Sequence, residues 1–178
     1  MKKCICSGLL ILLVLCLVAC AVVEENYFSY LEKDFCAEVR GEMNGSAFLA
    51  VVATSRTESG YRVGVRYLFP ATLSGLEVLA ECNRQGVPQG VGSLGLEGRK
   101  SEVEAVCVAG LLLPICALLN GGEVESVQYV EEGCCLTLVD GKTLHLGRDG
   151  TPQFLRGDGF FLEVAWLEWS EGLNLVKK

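Results

Sequence analysis

Between residues 35 and 69 the chain alternates apolar and polar side chains with a period of two, and that alternation stops only at turn signals. Phe35, Ala37, Val39 and Met43 interleave with Cys36, Glu38, Arg40 and Glu42. Asn44-Gly45 follows, a two-residue hairpin signal because both positions tolerate positive φ. Residues 46–54, carrying Phe48, Leu49, Val51 and Val52, form the return strand. Beyond Glu58-Ser59-Gly60, the residues Tyr61, Val63, Val65, Tyr67 and Phe69 share one face, opposite Arg62 and Arg66. Pro70 closes this three-strand meander. Such a stretch has one apolar face to bury, and only an antiparallel sheet covered on that face satisfies it.

The second half repeats the pattern. Residues 124–130, 134–139, 143–146, 153–155 and 160–169 read as strands, separated by Asp140-Gly141, Asp149-Gly150 and Asp158-Gly159. Around Asp140 two registers compete. A two-residue loop opposes Leu138 to Thr143. A three-residue loop opposes Leu138 to Leu144 and Leu136 to Leu146, joins all four leucines on one face and turns His145 outward with Thr137 and Thr143. Residues 71–98 are rich in glycine, with candidate strands around Leu76, Val78 and Ala80 and around Val91, Leu94 and Leu96.

Two helices are expected. One is short, over residues 22–34, with Tyr27, Tyr30 and Leu31 at helical spacing. The main one covers residues 101–119, opened by a Ser101/Glu104 capping box and stopped by Asn120-Gly121-Gly122. It carries no charge from Ala105 to Leu119, and Pro114 should kink it, with Gly110 where the ring would otherwise clash. At this length it does not span a bilayer. The expected fold class is α+β: a curved, half-barrel-like antiparallel sheet covered by a kinked apolar helix. The groove between them is expected to be lined by Val106, Ala109, Leu112, Leu113 and Cys116.

The N-terminus reads as a bacterial lipoprotein signal. Met1-Lys2-Lys3 precedes an apolar run ending in Leu17-Val18-Ala19-Cys20, an aliphatic, a short and a small residue before the cysteine that takes the lipid. Residues 1–19 are then the signal peptide, 20–23 a lipidated tether, and 24–178 a single domain. At least two acyl chains on Cys20 would hold the protein stably at the extracytoplasmic face of the cell membrane. The formal charge is -7. Removal of Lys2 and Lys3 leaves a still more acidic body, a poor match for nucleic acid and for anionic lipid, so the anchor must supply the membrane binding.

Little in the chain points to catalysis, a metal or a cofactor. Ten cysteines are present, and cleavage before a lipidated Cys20 leaves Cys36, Cys82, Cys107, Cys116, Cys134 and Cys135. A disulfide framework is one reading. Free buried thiols are the other, favoured by domain size and by Cys107 and Cys116 lying nine residues apart in one expected helix. No Cys or His spacing suits zinc. Residues 90–95 match G-x-G-x-x-G, yet no helix is expected directly after them and no acid follows at the required spacing. His145 is the only histidine, and no serine has a nucleophile-elbow context. Cys134 and Cys135 should face opposite sides of a strand, as should Trp166 and Trp169.

An exported domain with a helix, a meander, a buried helix and returning hairpins resembles the LolA/LolB-like lipoprotein fold, in its Gram-positive envelope and sporulation form. The resemblance rests on Phe35-Cys36-Ala37-Glu38-Val39 opening the first strand, the segment Pro70 to Gly75, and Gly150-Thr151-Pro152-Gln153-Phe154 before the last strand. It implies a curved half-barrel covered by helices around an apolar cavity. No position matches the arginine that latches the lid in the family's carrier. The function expected is therefore non-enzymatic: a membrane-anchored lipoprotein that takes a lipid or acylated ligand in an apolar groove. A membrane-proximal scaffold with a filled core and an envelope protein partner is the alternative, and a thiol enzyme using Cys134 or Cys135 is the third.

Overall fold

A computed structural model describes residues 26–96, 98–170, 172, 173 and 175. The signal peptide, the Leu17–Cys20 lipobox and the tether lie outside the described residues. All eleven strands pair antiparallel in one sheet: β1 Phe35–Met43, β2 Ser46–Arg56, β3 Gly60–Phe69, β4 Leu76–Asn83, β5 Pro88–Leu96, β6 Arg99–Glu104, β7 Val124–Val130, β8 Gly133–Leu138, β9 Thr143–Gly147, β10 Pro152–Gly157 and β11 Phe160–Trp169. Their spatial order is β6-β5-β4-β3-β2-β1-β11-β10-β9-β8-β7. Two meanders, one from each half of the chain, thus join where β1 pairs with β11. Among the described residues a single α-helix, α1 Ala109–Leu119, crosses between them on one face.

The expected meander is present, and Asn44 and Gly45 both adopt positive φ in its first turn. Rows of inward side chains run from strand to strand. Ala37, Val52, Val65, Val78 and Leu94 form one, and Val127, Leu136, Leu144, Leu155 and Leu162 form another. Against these α1 lays Leu112, Ile115, Leu118 and Leu119, all without solvent exposure. Each such side chain contributes roughly 1.5–3 kcal/mol of burial, so the helix is held mainly by this face.

Two tyrosines fasten α1 further. The Tyr30 hydroxyl donates to the Leu118 carbonyl at 2.8 Å, and the Tyr67 hydroxyl donates to the Leu111 carbonyl at 3.0 Å. The first bond satisfies one of the carbonyls a helix C-terminus leaves without an intrahelical donor. Burial raises both phenols, Tyr67 to about 12.

The opposite face of the sheet has a smaller apolar cluster. Cys36, Val51 and Ala53 pack with Leu175 of the C-terminal segment, beside Leu79, Trp166 and Leu173. Gly64 makes room for this, since a Cβ there would sit 3.0 Å from one Leu175 methyl and 2.7 Å from a Leu79 methyl.

Several expectations need correction. The main helix does not begin at Ser101, because residues 99–104 are strand β6, paired with β5 through Ser101–Leu94 and Glu104–Val91. The Ser101/Glu104 spacing fits a capping box, but the same stretch alternates, and the open edge of β5 wins it. A 3-10 turn, Ala105–Val108, then leads into α1. Of the short helix expected over residues 22–34, the described part is only a 3-10 turn, Ser29–Glu32. The β8–β9 hairpin adopts neither expected register: Leu136 opposes Leu144, Cys134 opposes Leu146, and Cys135 opposes His145. The shift from the three-residue alternative is two residues, which preserves facing, so all four leucines are still buried together.

Candidate functional site

An apolar pocket lies at one end of the seam between β1 and β11. It has a volume of about 230 Å³ and is lined by Met43, Phe48, Phe160, Phe161 and Leu162 from the strands and by Leu113, Pro114 and Ala117 from α1. Asn44, Asp158 and Gly159, from the β1–β2 and β10–β11 turns, form its polar rim.

Small residues border the hollow. The cross-strand row Phe48–Gly41–Leu162 beside it has glycine at its centre. A Cβ on Gly41 would collide with the Phe161 carbonyl, so the position demands glycine. On the helix side, Ala117 is small and Pro114 turns its ring toward the same space. The helix thus fills the core with Leu112, Ile115, Leu118 and Leu119 while leaving the pocket between its other face and the two turns.

The five groove residues read from the sequence do not gather here. Leu113 lines the pocket and is 47% exposed. Leu112 is fully buried in the core, Cys116 packs against Cys82, Ala109 is half-buried at the start of α1, and Val106 faces solvent at 70% exposure. Only Val106 is displaced by the 3-10 segment 105–108. The other four keep helical spacing within α1, but the pocket lies to one side of their stripe, over Leu113, Pro114 and Ala117, while Leu112 turns into the core. Met43, Phe48, Phe160 and Phe161 were not legible as pocket residues, because only the pairing of Met43 with Phe160 brings the two turn ends together.

The remaining candidates separate cleanly. Residues 90–95 lie within β5, followed by a turn and β6, so the glycine motif has no helix to cradle a pyrophosphate. Cys134 is buried and Cys135 half-buried on opposite faces of β8. Burial raises the Cys135 thiol, which opposes the thiolate that nucleophilic chemistry needs. His145 stacks on Phe154 with ring centroids 3.6 Å apart, and burial lowers its pKa. The Asp140 carboxylate accepts from the Lys142 amide and ammonium, and Asp149 accepts from the Thr151 amide and hydroxyl, so both serve their turns. Those bonds hold both carboxyls below the usual range. Among the described residues no group of three or more His, Cys, Asp or Glu could hold a metal ion, and no helix is long and apolar enough to cross a membrane.

No protein-family model matches the chain, and no curated protein sequence matches it. Solved structures similar to it include a LolA-superfamily protein and an outer membrane lipoprotein-sorting protein domain. An uncharacterized conserved protein from Thermus thermophilus is similar at 12% identity, over 82% of this chain and 84% of that one, with a TM-score of 0.49. A putative outer membrane lipoprotein-sorting protein domain from Vibrio parahaemolyticus shares 10% identity over 84% and 88% of the two chains, with a TM-score of 0.41. The LolA superfamily protein NE2245 from Nitrosomonas europaea shares 9% identity over 85% and 95%, with a TM-score of 0.39.

Proposed function

We propose that this protein binds a single hydrocarbon chain, of a lipid or an acylated partner, in the pocket between α1 and the β1–β11 seam, and that it does no chemistry on it. The observation that carries the reading is the lining: eight apolar side chains or rings around a hollow whose only polar groups stand at the rim. A pocket of about 230 Å³ is smaller than the roughly 300–1,000 Å³ typical of drug-sized ligands, which suits the end of one chain rather than a whole two-chain lipid. The Asp158 carboxylate at the rim favours a neutral or cationic head over a fatty-acid carboxylate. The leader supports a matching location. With Leu17-Val18-Ala19-Cys20 as the lipidation signal, the domain is anchored at the extracytoplasmic face of the cell membrane through Cys20, within a few nanometres of acyl chains.

The test is a series of uncharged n-alkyl glucosides of increasing length, titrated below their micellar concentrations into the chain lacking residues 1–20. Each buried methylene contributes about 0.8 kcal/mol, so affinity should rise roughly fourfold per carbon and then level off once the pocket is full. Affinity that does not depend on chain length, or no binding at all, overturns the reading in favour of a scaffold with its function on the surface.

A further inference from the structure

Cys82 and Cys116 face each other in the core with their sulfurs 3.9 Å apart. Cys82 belongs to β4 and Cys116 to α1, and both are buried. The other described cysteines are placed differently. Cys36 lies on the opposite face of the sheet beside Leu175, Cys107 is exposed on the 3-10 turn, and Cys134 and Cys135 point away from each other. We propose that Cys82 and Cys116 form a disulfide that fastens the C-terminal half of α1 to β4.

Two buried thiols can touch merely as small hydrophobes. Three features argue for more. The two sulfurs already touch across the helix–sheet interface, and reaching the roughly 2.05 Å of a disulfide asks them to close by about 1.9 Å. Either sulfur can donate to the other, so once the pair has lost one proton the remaining thiol hydrogen-bonds the thiolate, and either cysteine can attack while the other resolves. Finally, the cross-link joins positions 34 residues apart on different elements, so it constrains the unfolded chain as well as the helix.

The reaction is thiol–disulfide exchange with an external disulfide, either a small molecule or an oxidoreductase. One cysteine of the pair, having lost its proton to water, attacks one external sulfur and displaces the other as a thiolate, giving a mixed disulfide. The second cysteine passes its proton to the released thiolate and attacks the first cysteine's sulfur, expelling the second external group as a thiolate that takes up a proton from water. Two protein thiols are oxidised and one external disulfide is reduced. The turn through Gly86 lies directly over the Cys116 carbonyl, so the oxidant gains access as the chain folds, or when this turn and the end of α1 open together.

The experiment refolds the full chain in detergent under a mixture of oxidised and reduced glutathione, blocks free thiols with iodoacetamide, and maps peptides without reduction. The expected result is a joined peptide pair carrying Cys82 and Cys116. A melting temperature roughly 5–15 °C above the reduced form, reversed by dithiothreitol, should accompany it. Because replacing either core cysteine can disturb folding by itself, a second variant leaves the pair intact. With Cys36, Cys107, Cys134 and Cys135 all changed to Ala, the cross-link and the shift should persist. Carbamidomethylation of both Cys82 and Cys116 after oxidative refolding overturns the proposal, and so does a dominant pairing of either with another cysteine.

Discussion

The Asn44 amide donates to the Gly159 carbonyl across 2.9 Å, tying the turn between β1 and β2 to the turn between β10 and β11. The two turns come from opposite ends of the chain and meet only because Met43 pairs with Phe160. Together they form the rim of the apolar pocket, and Leu113, Pro114 and Ala117 of α1 form the wall facing them. The pocket therefore exists only when the two meanders have closed on each other and the helix has docked, so its integrity reports on the whole fold.

Ala117 is the position at which the pocket can be filled with least damage, because its side chain is small, half-buried and turned into the hollow. An Ala117→Trp variant should bind n-alkyl glucosides at least about 10-fold more weakly, since the indole takes the space of several methylenes. Its unfolding free energy should change by no more than about 1–2 kcal/mol, because the ring enters a void rather than a packed core. Titration calorimetry and urea denaturation read the two effects separately. Undiminished binding would place the hydrocarbon elsewhere.

On the far side of the sheet, Leu175 occupies the hollow left by Gly64. Leu175→Ala should cost about 2 kcal/mol, at the low end for a leucine truncation because the site lies at the edge of the structure. Gly64→Ala should cost a similar amount, since the new methyl meets Leu79 and Leu175 closer than packing allows. The double variant should be markedly less destabilised than the sum, because the leucine that Gly64→Ala displaces is already gone. Additive denaturation data would show that the C-terminal segment does not dock there.

How far the sequence revealed this arrangement depended on range. Period-two alternation and the Asn44-Gly45 and Asp-Gly turns marked most strands, because pleat and turn chemistry are local. The facing of the Leu136–Leu138–Leu144–Leu146 group survived a misjudged register, since a slip of two residues leaves every side chain on its own side. Residues 101–104 read as the start of a helix because a helix cap and a short edge strand look alike when the partner, β5, is itself obscured by glycines. The pocket residues were hidden for a different reason: Phe48 and Phe160 are ordinary strand residues until β1 meets β11, and no local pattern encodes that meeting.

Tyr30 closes the C-terminus of α1 from the 3-10 turn ahead of β1. Tyr30→Phe keeps the ring in the core and removes only the hydroxyl, leaving the Leu118 carbonyl buried without that donor. The expected cost is about 1–3 kcal/mol, the penalty for an unsatisfied buried carbonyl. Hydrogen exchange should localise the effect, with faster exchange for the last turn of α1 and little change in β7 to β9. A uniform change throughout the sheet would mean that the bond does not act at the helix end.

Tyr67 gives the fold a dependence on alkaline pH whose sign can be derived. An unfolded tyrosine ionises near 10, and burial holds the native Tyr67 phenol up to about 12. Between those values the native state binds more protons than the unfolded chain, so stability falls as pH rises. The contribution is complete below pH 10 and lost as pH passes through about 12; it is on the order of 2 kcal/mol for this residue. Tyr67→Phe removes the titration together with the bond to the Leu111 carbonyl. The variant should therefore be less stable than the parent at pH 9.5, with the gap narrowing by pH 11.5 as the parent loses what the phenylalanine never had. Urea denaturation of both proteins across that range measures the gap directly, and a gap that stays constant with pH would show that the Tyr67 phenol ionises alike in the two states.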